Sequence, residues 1–156
     1  MSEDEPQERK NEFYTSLNRV IDEIGASREL IIAGDLNSRV GRKENNNIIG
    51  PFGEDVMNDN GERLFAFCEQ YGLKILNGFY QHKDIHKFTR HQDTLQQKSI
   101  IDYIITKQQT ALNINDVRVF RGATYGSEYY LVNSKFCYSF LKSNKHKKEI
   151  EKKHKM

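Results

Sequence analysis

The sequence predicts one domain of the α/β or α+β class, with two main helices against five or six strands in a single mixed sheet. Three observations lead there. Helical and strand-like hydrophobic periodicities alternate along the chain. The 156 residues suffice for one core, and a second domain would leave both cores thin. Hydrophobic residues are only 37% and the mean hydropathy is −0.79, so the core must come from a few concentrated segments.

Phe13, Leu17, Val20, Ile21 and Ile24 recur at helical spacing, and Gly25 follows as a C-terminal stop. Glu29 to Gly34 is a short, β-branched apolar run and reads as a buried strand. Residues 38–58 are polar and rich in Gly and Asn, which predicts a long loop, and a loop that long in a compact domain is usually functional. Asn60-Gly61-Glu62-Arg63 opens a second helix with Leu64, Cys68 and Tyr71 as its apolar line and Gly72 as its end. Leu73 to Leu76 reads as a short strand. Residues 86–90 and 99–106 read as a strand pair across a polar connection, Gln92 to Lys98. Val117 to Phe120 alternates, and Tyr129 to Phe140 is β-branched and aromatic, so both read as strands.

Composition excludes several classes. Two cysteines, Cys68 and Cys137, cannot build a disulfide scaffold, and both lie in apolar patterns that predict buried free thiols. No apolar run approaches the ~20 residues of a membrane helix, and the N-terminus lacks the apolar core of a secretory signal. An intracellular setting, nuclear or cytoplasmic, is expected. The net charge of +2 is a sum of unlike parts. Seven lysines against two glutamates make residues 142–156 +5, which leaves −3 for residues 1–141. The chain therefore divides into a polar lead-in (1–10), a domain (11–140) and a basic tail (141–156) expected to be disordered.

Three places could carry chemistry. Gly34-Asp35-Leu36-Asn37 follows the first strand, at the end where open α/β sheets place ligands. Asp35 and Asn37 would share a side if extended geometry persists, joining a proton-handling carboxylate to a carboxamide. By itself, Asp-x-Asn after a strand is also a common Asx turn. In Ile100-Ile101-Asp102-Tyr103-Ile104-Ile105 a carboxylate interrupts an apolar strand, so Asp102 needs a partner. It either bonds a backbone turn, orients a histidine or binds a metal. Gly126-Ser127-Glu128-Tyr129 is a polar turn leading into a strand. His82 and His86 are four apart but lack further zinc ligands, and His91 is a distant candidate for the site.

Taken together, these motifs resemble the exonuclease–endonuclease–phosphatase superfamily. The likeness is strongest to the endonuclease domains of RTE/BovB-type non-LTR retrotransposons. It runs from about Asn11 to Phe140 through Ile31 to Asn37, Asn60 to Leu64, His82 to Lys87, Ile101 to Ile104 and Arg121 to Ala123. The resemblance implies a divalent-metal, Mg²⁺-dependent phosphodiesterase acting on DNA. It gives Asp35 the role of managing a proton, Asn37 that of steadying phosphoryl oxygens, and Asp102 that of holding a catalytic histidine. Arg90 and Lys87 fall where nucleic-acid contacts are expected.

The chain departs from that pattern. The family's final Ser-Asp-His reads Ser127-Glu128-Tyr129 here, so Glu128 is the remaining metal-binding position and Tyr129 stands in place of the histidine. An imidazole titrates near neutrality, whereas a phenol with an ordinary pKa of about 10 stays neutral. Phe88-Thr89-Arg90 carries Arg where relatives usually have Trp. No residue corresponds to the family's metal-binding Glu. The resemblance therefore implies the C-terminal half of a four-layer fold, a truncated and catalytically impaired relic. The alternatives are an active Mg²⁺-dependent endonuclease and a non-catalytic module binding protein or nucleic acid. An unpartnered sheet face, with self-association, is a further expectation.

Overall fold

The computed structural model of the chain describes residues 4–123 and 127–138. Two helices, α1 (Gln7–Ile24) and α2 (Asp59–Gln70), accompany seven strands among those residues. The strands are β1 (Ile31–Asp35), β2 (Leu73–Ile75), β3 (Arg90–Gln92), β4 (Gln97–Ser99), β5 (Asp102–Lys107), β6 (Leu112–Phe120) and β7 (Leu131–Tyr138). The α+β class with two helices is observed. The single mixed sheet is replaced by three antiparallel ones: β1-β5-β2, β3-β4 and β6-β7. β5 lies between β1 and β2 and runs against both, so those two are parallel to each other without touching.

Helix α1 begins at Gln7, inside the expected polar lead-in, because Pro6 suits the position before a first turn. Its buried positions include Lys10, whose stem is covered while its ammonium meets Asp59 Oδ2 at 3.1 Å. Gly25, at φ +77°, ends the helix as expected. Helix α2 is capped by Asn58. The Asn58 carboxamide oxygen accepts from Gly61 N–H at 2.8 Å and from Arg39 N–H at 2.9 Å. A side chain at Gly61 would strike the Arg39 carbonyl, so this glycine permits the loop to cross the helix start.

The core joins Leu64, Phe67 and Cys68 of α2 to Leu73, Ile75, Tyr103 and Ile105 of the three-stranded sheet. Fully burying such aliphatic side chains contributes about 1.5–3 kcal/mol each. Burial pushes the Cys68 thiol up to about 12. Cys137 is exposed, contrary to expectation, because it projects from the outer strand of the β6-β7 hairpin.

The segment 38–58 is a loop, as predicted, yet much of it serves the core. Val40, Ile48 and Ile49 are buried in the main cluster. Asn46 Oδ1 accepts from the N–H groups of Ile48 and Ile49, at 2.9 and 3.0 Å. Glu54, only 5% exposed, accepts Arg39 Nε at 2.8 Å through one oxygen and Ile100 N–H at 2.9 Å through the other. The loop is thus a structural strap.

The expected pairing of 86–90 with 99–106 is displaced. Asp84–His86 forms a 3₁₀ turn, and the supposed polar connection itself folds into the β3-β4 hairpin. Gln96, at φ +52°, closes that hairpin. The stretch 102–107 pairs with β1 and β2 instead. The last strand is seen as far as Tyr138, and the expected tail lies outside the described residues. No described helix is long and apolar enough to cross a membrane. Apolar side chains do lie uncovered: Ile31 on β1 is 42% exposed, and Leu131 and Phe136 on β7 are 54% and 51% exposed.

Asn58→Ala removes both bonds of the α2 cap and is expected to cost about 1–2 kcal/mol in urea unfolding. A variant as stable as the parent would contradict the double role of this carboxamide.

Candidate functional site

Strand β1 ends at Asp35 and β5 starts at Asp102, and the two residues are antiparallel partners. Such partners sit about 4.5–5.5 Å apart at Cα, so the register alone brings the two carboxylates together. Beyond them, Leu36 N–H donates to the Ile101 carbonyl at 2.9 Å and extends the pairing by one step.

Asp35 Oδ1 accepts the Asn37 N–H at 2.8 Å, and Asn37 has φ +46°. This is an Asx turn. Extended geometry does not persist, so the alternation argument for Asp35 and Asn37 sharing a side fails. The turn directs Asn37 into a neighbouring cleft instead. The Asn60 carboxamide fixes that turn by donating to the Asn37 carbonyl at 3.0 Å.

Asp102 does have a partner, and it is Thr89. The Thr89 hydroxyl accepts from the N–H groups of Ile101 and Asp102, at 3.0 and 3.2 Å, and bonds the Asp102 carboxyl. Thr89 is 0% exposed. No histidine meets Asp102 among the described residues, so its expected role of orienting an imidazole has no structural counterpart. Burial raises the Asp102 pKa above its ordinary 3.8; Thr89 opposes this and the charge of Asp35 adds to it. Its second oxygen, Oδ2, is buried without a hydrogen-bond partner among the described residues.

Ser127, Glu128 and Tyr129 run beside β3. Tyr130 N–H donates to the Thr89 carbonyl at 2.8 Å, and His91 N–H donates to the Glu128 carbonyl at 2.9 Å. The Glu128 carboxylate accepts Arg90 Nη2 at 3.2 Å, and the Arg90 guanidinium lies 5.6 Å from the centre of the Tyr129 ring. Position 126 lies outside the described residues. Thr89 and Arg90 therefore join the Asp102 and Glu128 motifs, and the β1-β5 register adds Asp35.

The remaining histidines are engaged elsewhere. His82 Nε2 meets Asp116 Oδ1 at 2.8 Å, His86 Nδ1 meets the Val119 carbonyl at 3.1 Å, and His91 Nδ1 meets Asp93 at 3.3 Å. Lys87 turns to Asp84 at 3.6 Å and lies over Phe88, outside the cleft. Sequence reasoning missed Arg39, Glu54 and Lys98, which sit in polar stretches without periodic signal. Thr89 was visible only as a motif neighbour.

Among the described residues, no group of three or more His, Cys, Asp or Glu side chains could hold a metal ion. Asp35 and Asp102 supply two carboxylates, and Glu128 is taken by Arg90. These residues do not make the magnesium site that the resemblance implies.

Residues 4–131 match a family described as endonuclease-reverse transcriptase. Craniofacial development protein 2 from Bos taurus is 32% identical over 124 residues, which is 80% of this chain and 21% of that protein. The Tragulus javanicus protein of the same name is also 32% identical over 124 residues, 22% of its length. The chain thus spans about a fifth of the curated relatives it matches. A solved structure, the endonuclease domain of TRAS1, a telomere-specific non-LTR retrotransposon, aligns with a TM-score of 0.52 at 24% identity. That alignment covers 83% of this chain and 49% of the other, and it shows a shared fold.

The raised pKa of Asp102 has a definite sign. The folded chain keeps a proton that the unfolded chain releases, so stability falls as pH rises from the ordinary 3.8 through the folded value. Thr89→Val should raise that pKa further in a carboxyl NMR titration and cost about 1–3 kcal/mol. Asp102→Asn should abolish that fall in stability. An Asp102 titration unmoved by Thr89→Val would refute the assigned hydrogen bond.

Proposed function

Since the chain belongs to the endonuclease-reverse transcriptase family, we propose that its site engages nucleic-acid phosphodiesters, DNA first among them, but hydrolyses them poorly. Asp35 is the group to accept or return a proton, because it stands at the open end of β1 with only the Asn37 amide on its carboxylate. Asn37 offers a carboxamide to a phosphoryl oxygen from the adjacent cleft. Asp102 acts beside Asp35 rather than on substrate: its own burial, and to a lesser degree the charge of Asp35 in register with it, raises the Asp102 pKa.

The observation that carries the impairment is the Arg90–Glu128 ion pair beside Tyr129. It occupies the position where the family pattern has Asp-His. Among the described residues no imidazole stands there to exchange a proton near neutrality, and general acid–base groups typically contribute 10²–10⁴-fold, a loss of roughly that order. Glu128 is neutralised in place and is not a free metal ligand.

A second reading, an active nuclease, draws on the Asp35–Asp102 register, which is intact. A third, self-association, draws on the uncovered Ile31, Leu131 and Phe136. Sedimentation of the purified chain tests the last directly, and a concentration-independent monomer removes it.

With Mg²⁺, the purified protein is expected to nick supercoiled plasmid no faster than its Asp35→Ala variant. Clear nicking that Asp35→Ala abolishes would establish the active enzyme instead. Glu128→Asp with Tyr129→His is expected to raise any basal rate, since it returns an imidazole to the site.

A further inference from the structure

The cleft between the Asn37 turn and the β3-β4 hairpin is lined mainly by cations and carboxamides, with Ser99 and Ile101 also in the lining. It encloses about 100 Å³, space for roughly three waters and on the scale of a phosphoryl group rather than a nucleoside. Three cations line it, Arg39, Arg90 and Lys98, with the carboxamides of Asn37, Gln92 and Gln97, and no carboxylate does. The acids that balance these cations stand behind them. Glu54 holds Arg39, Glu128 holds Arg90, and Asp84 lies 3.8 Å from Lys98. Their charge fixes the cations without filling the cleft.

Arg90 shows that this arrangement is incomplete. One Nη reaches Glu128, but Nε is buried and has no hydrogen-bond partner among the described residues. A buried guanidinium donor left unmade costs about 1–3 kcal/mol or more, so something should accept from it. The Arg39 guanidinium likewise spends only a long 3.4 Å bond on the Lys98 carbonyl beyond its Glu54 contacts. Three cations with carboxamide N–H donors around a phosphoryl-sized space, and no competing carboxylate in the lining, fit a tetrahedral anion.

We propose that this cleft is an anion site that takes one phosphoryl group, with Arg90 as its principal ligand, beside and separate from the Asp35–Asp102 pair. That the phosphoryl group belongs to a nucleic-acid strand rests on the function proposed above. On that footing the cleft grips a backbone phosphate next to the carboxylates.

Calorimetric titration of the full chain without Mg²⁺ tests this, using sulfate in one arm and a short oligothymidylate in the other. Both are expected to bind, and Arg90→Gln should weaken both by about tenfold or more. Gln97→Glu places a carboxylate in the lining at an exposed position that leaves the fold intact, and it should weaken both as well. Circular dichroism confirms that each variant is folded. Absence of sulfate binding, or binding indifferent to both substitutions, overturns the anion site. Oligothymidylate binding that ignores both substitutions overturns it while leaving the nucleic-acid reading intact. Sulfate binding that depends on Arg90, without oligothymidylate binding, supports the site and removes the nucleic-acid reading.

Discussion

The backbone between Ile100 and Asp102 takes its hydrogen bonds from side chains before it becomes a strand. Ile100 N–H goes to Glu54, and the next two N–H groups go to the Thr89 hydroxyl. The Ile101 carbonyl accepts from Leu36 just past the end of β1. Four separate parts of the chain therefore meet on three residues: the strap 38–58, the approach to β3, the end of β1 and the start of β5. Buried N–H groups left without partners there would cost several kcal/mol together. Asp35 and Asp102 face each other because this junction fixes where β5 begins.

Charge is arranged around the junction in pairs with unequal burial. Glu54 is buried and its partner Arg39 is partly exposed, so the pair draws on extra hydrogen bonds from Ile100 N–H to offset desolvation. Arg90 and Glu128 are both partly exposed, and their pairing is worth little energetically. Its consequence is chemical. It commits Glu128 and leaves the Arg90 Nε buried without a hydrogen-bond partner among the described residues.

The same geometry separates two kinds of carboxylate at one sheet end. Asp35 lies open at the end of an exposed strand, whereas Asp102 is partly buried behind it and tied to Thr89. The described histidines, His82, His86 and His91, are bonded to Asp116, the Val119 carbonyl and Asp93 rather than to either carboxylate.

The amino-acid order by itself determined the helices, because Leu64 and Cys68 recur at helical spacing and Gly25 and Gly72 stop them. It determined strand β1 from its apolar run and located Asp35, Asn37, Asp102 and Ser127 to Tyr129 as the chemically marked positions. It also carried the family, since that rests on motif order rather than on contacts. Pairing was decided only in three dimensions. Short strands such as Arg90–Gln92 and Gln97–Ser99 are too polar to announce themselves, and β5 joined β1 and β2 because the core lay there. The Asx turn at Asp35 and Asn37 was open to the sequence as a local alternative to extended geometry; tertiary structure adds the Asn60 bond that holds it. The cleft brings Arg39 to Arg90 and Lys98, dozens of positions further along the chain, with no shared period. The β3-β4 hairpin sets Arg90 beside Lys98, and Glu54 at the junction holds Arg39 against them.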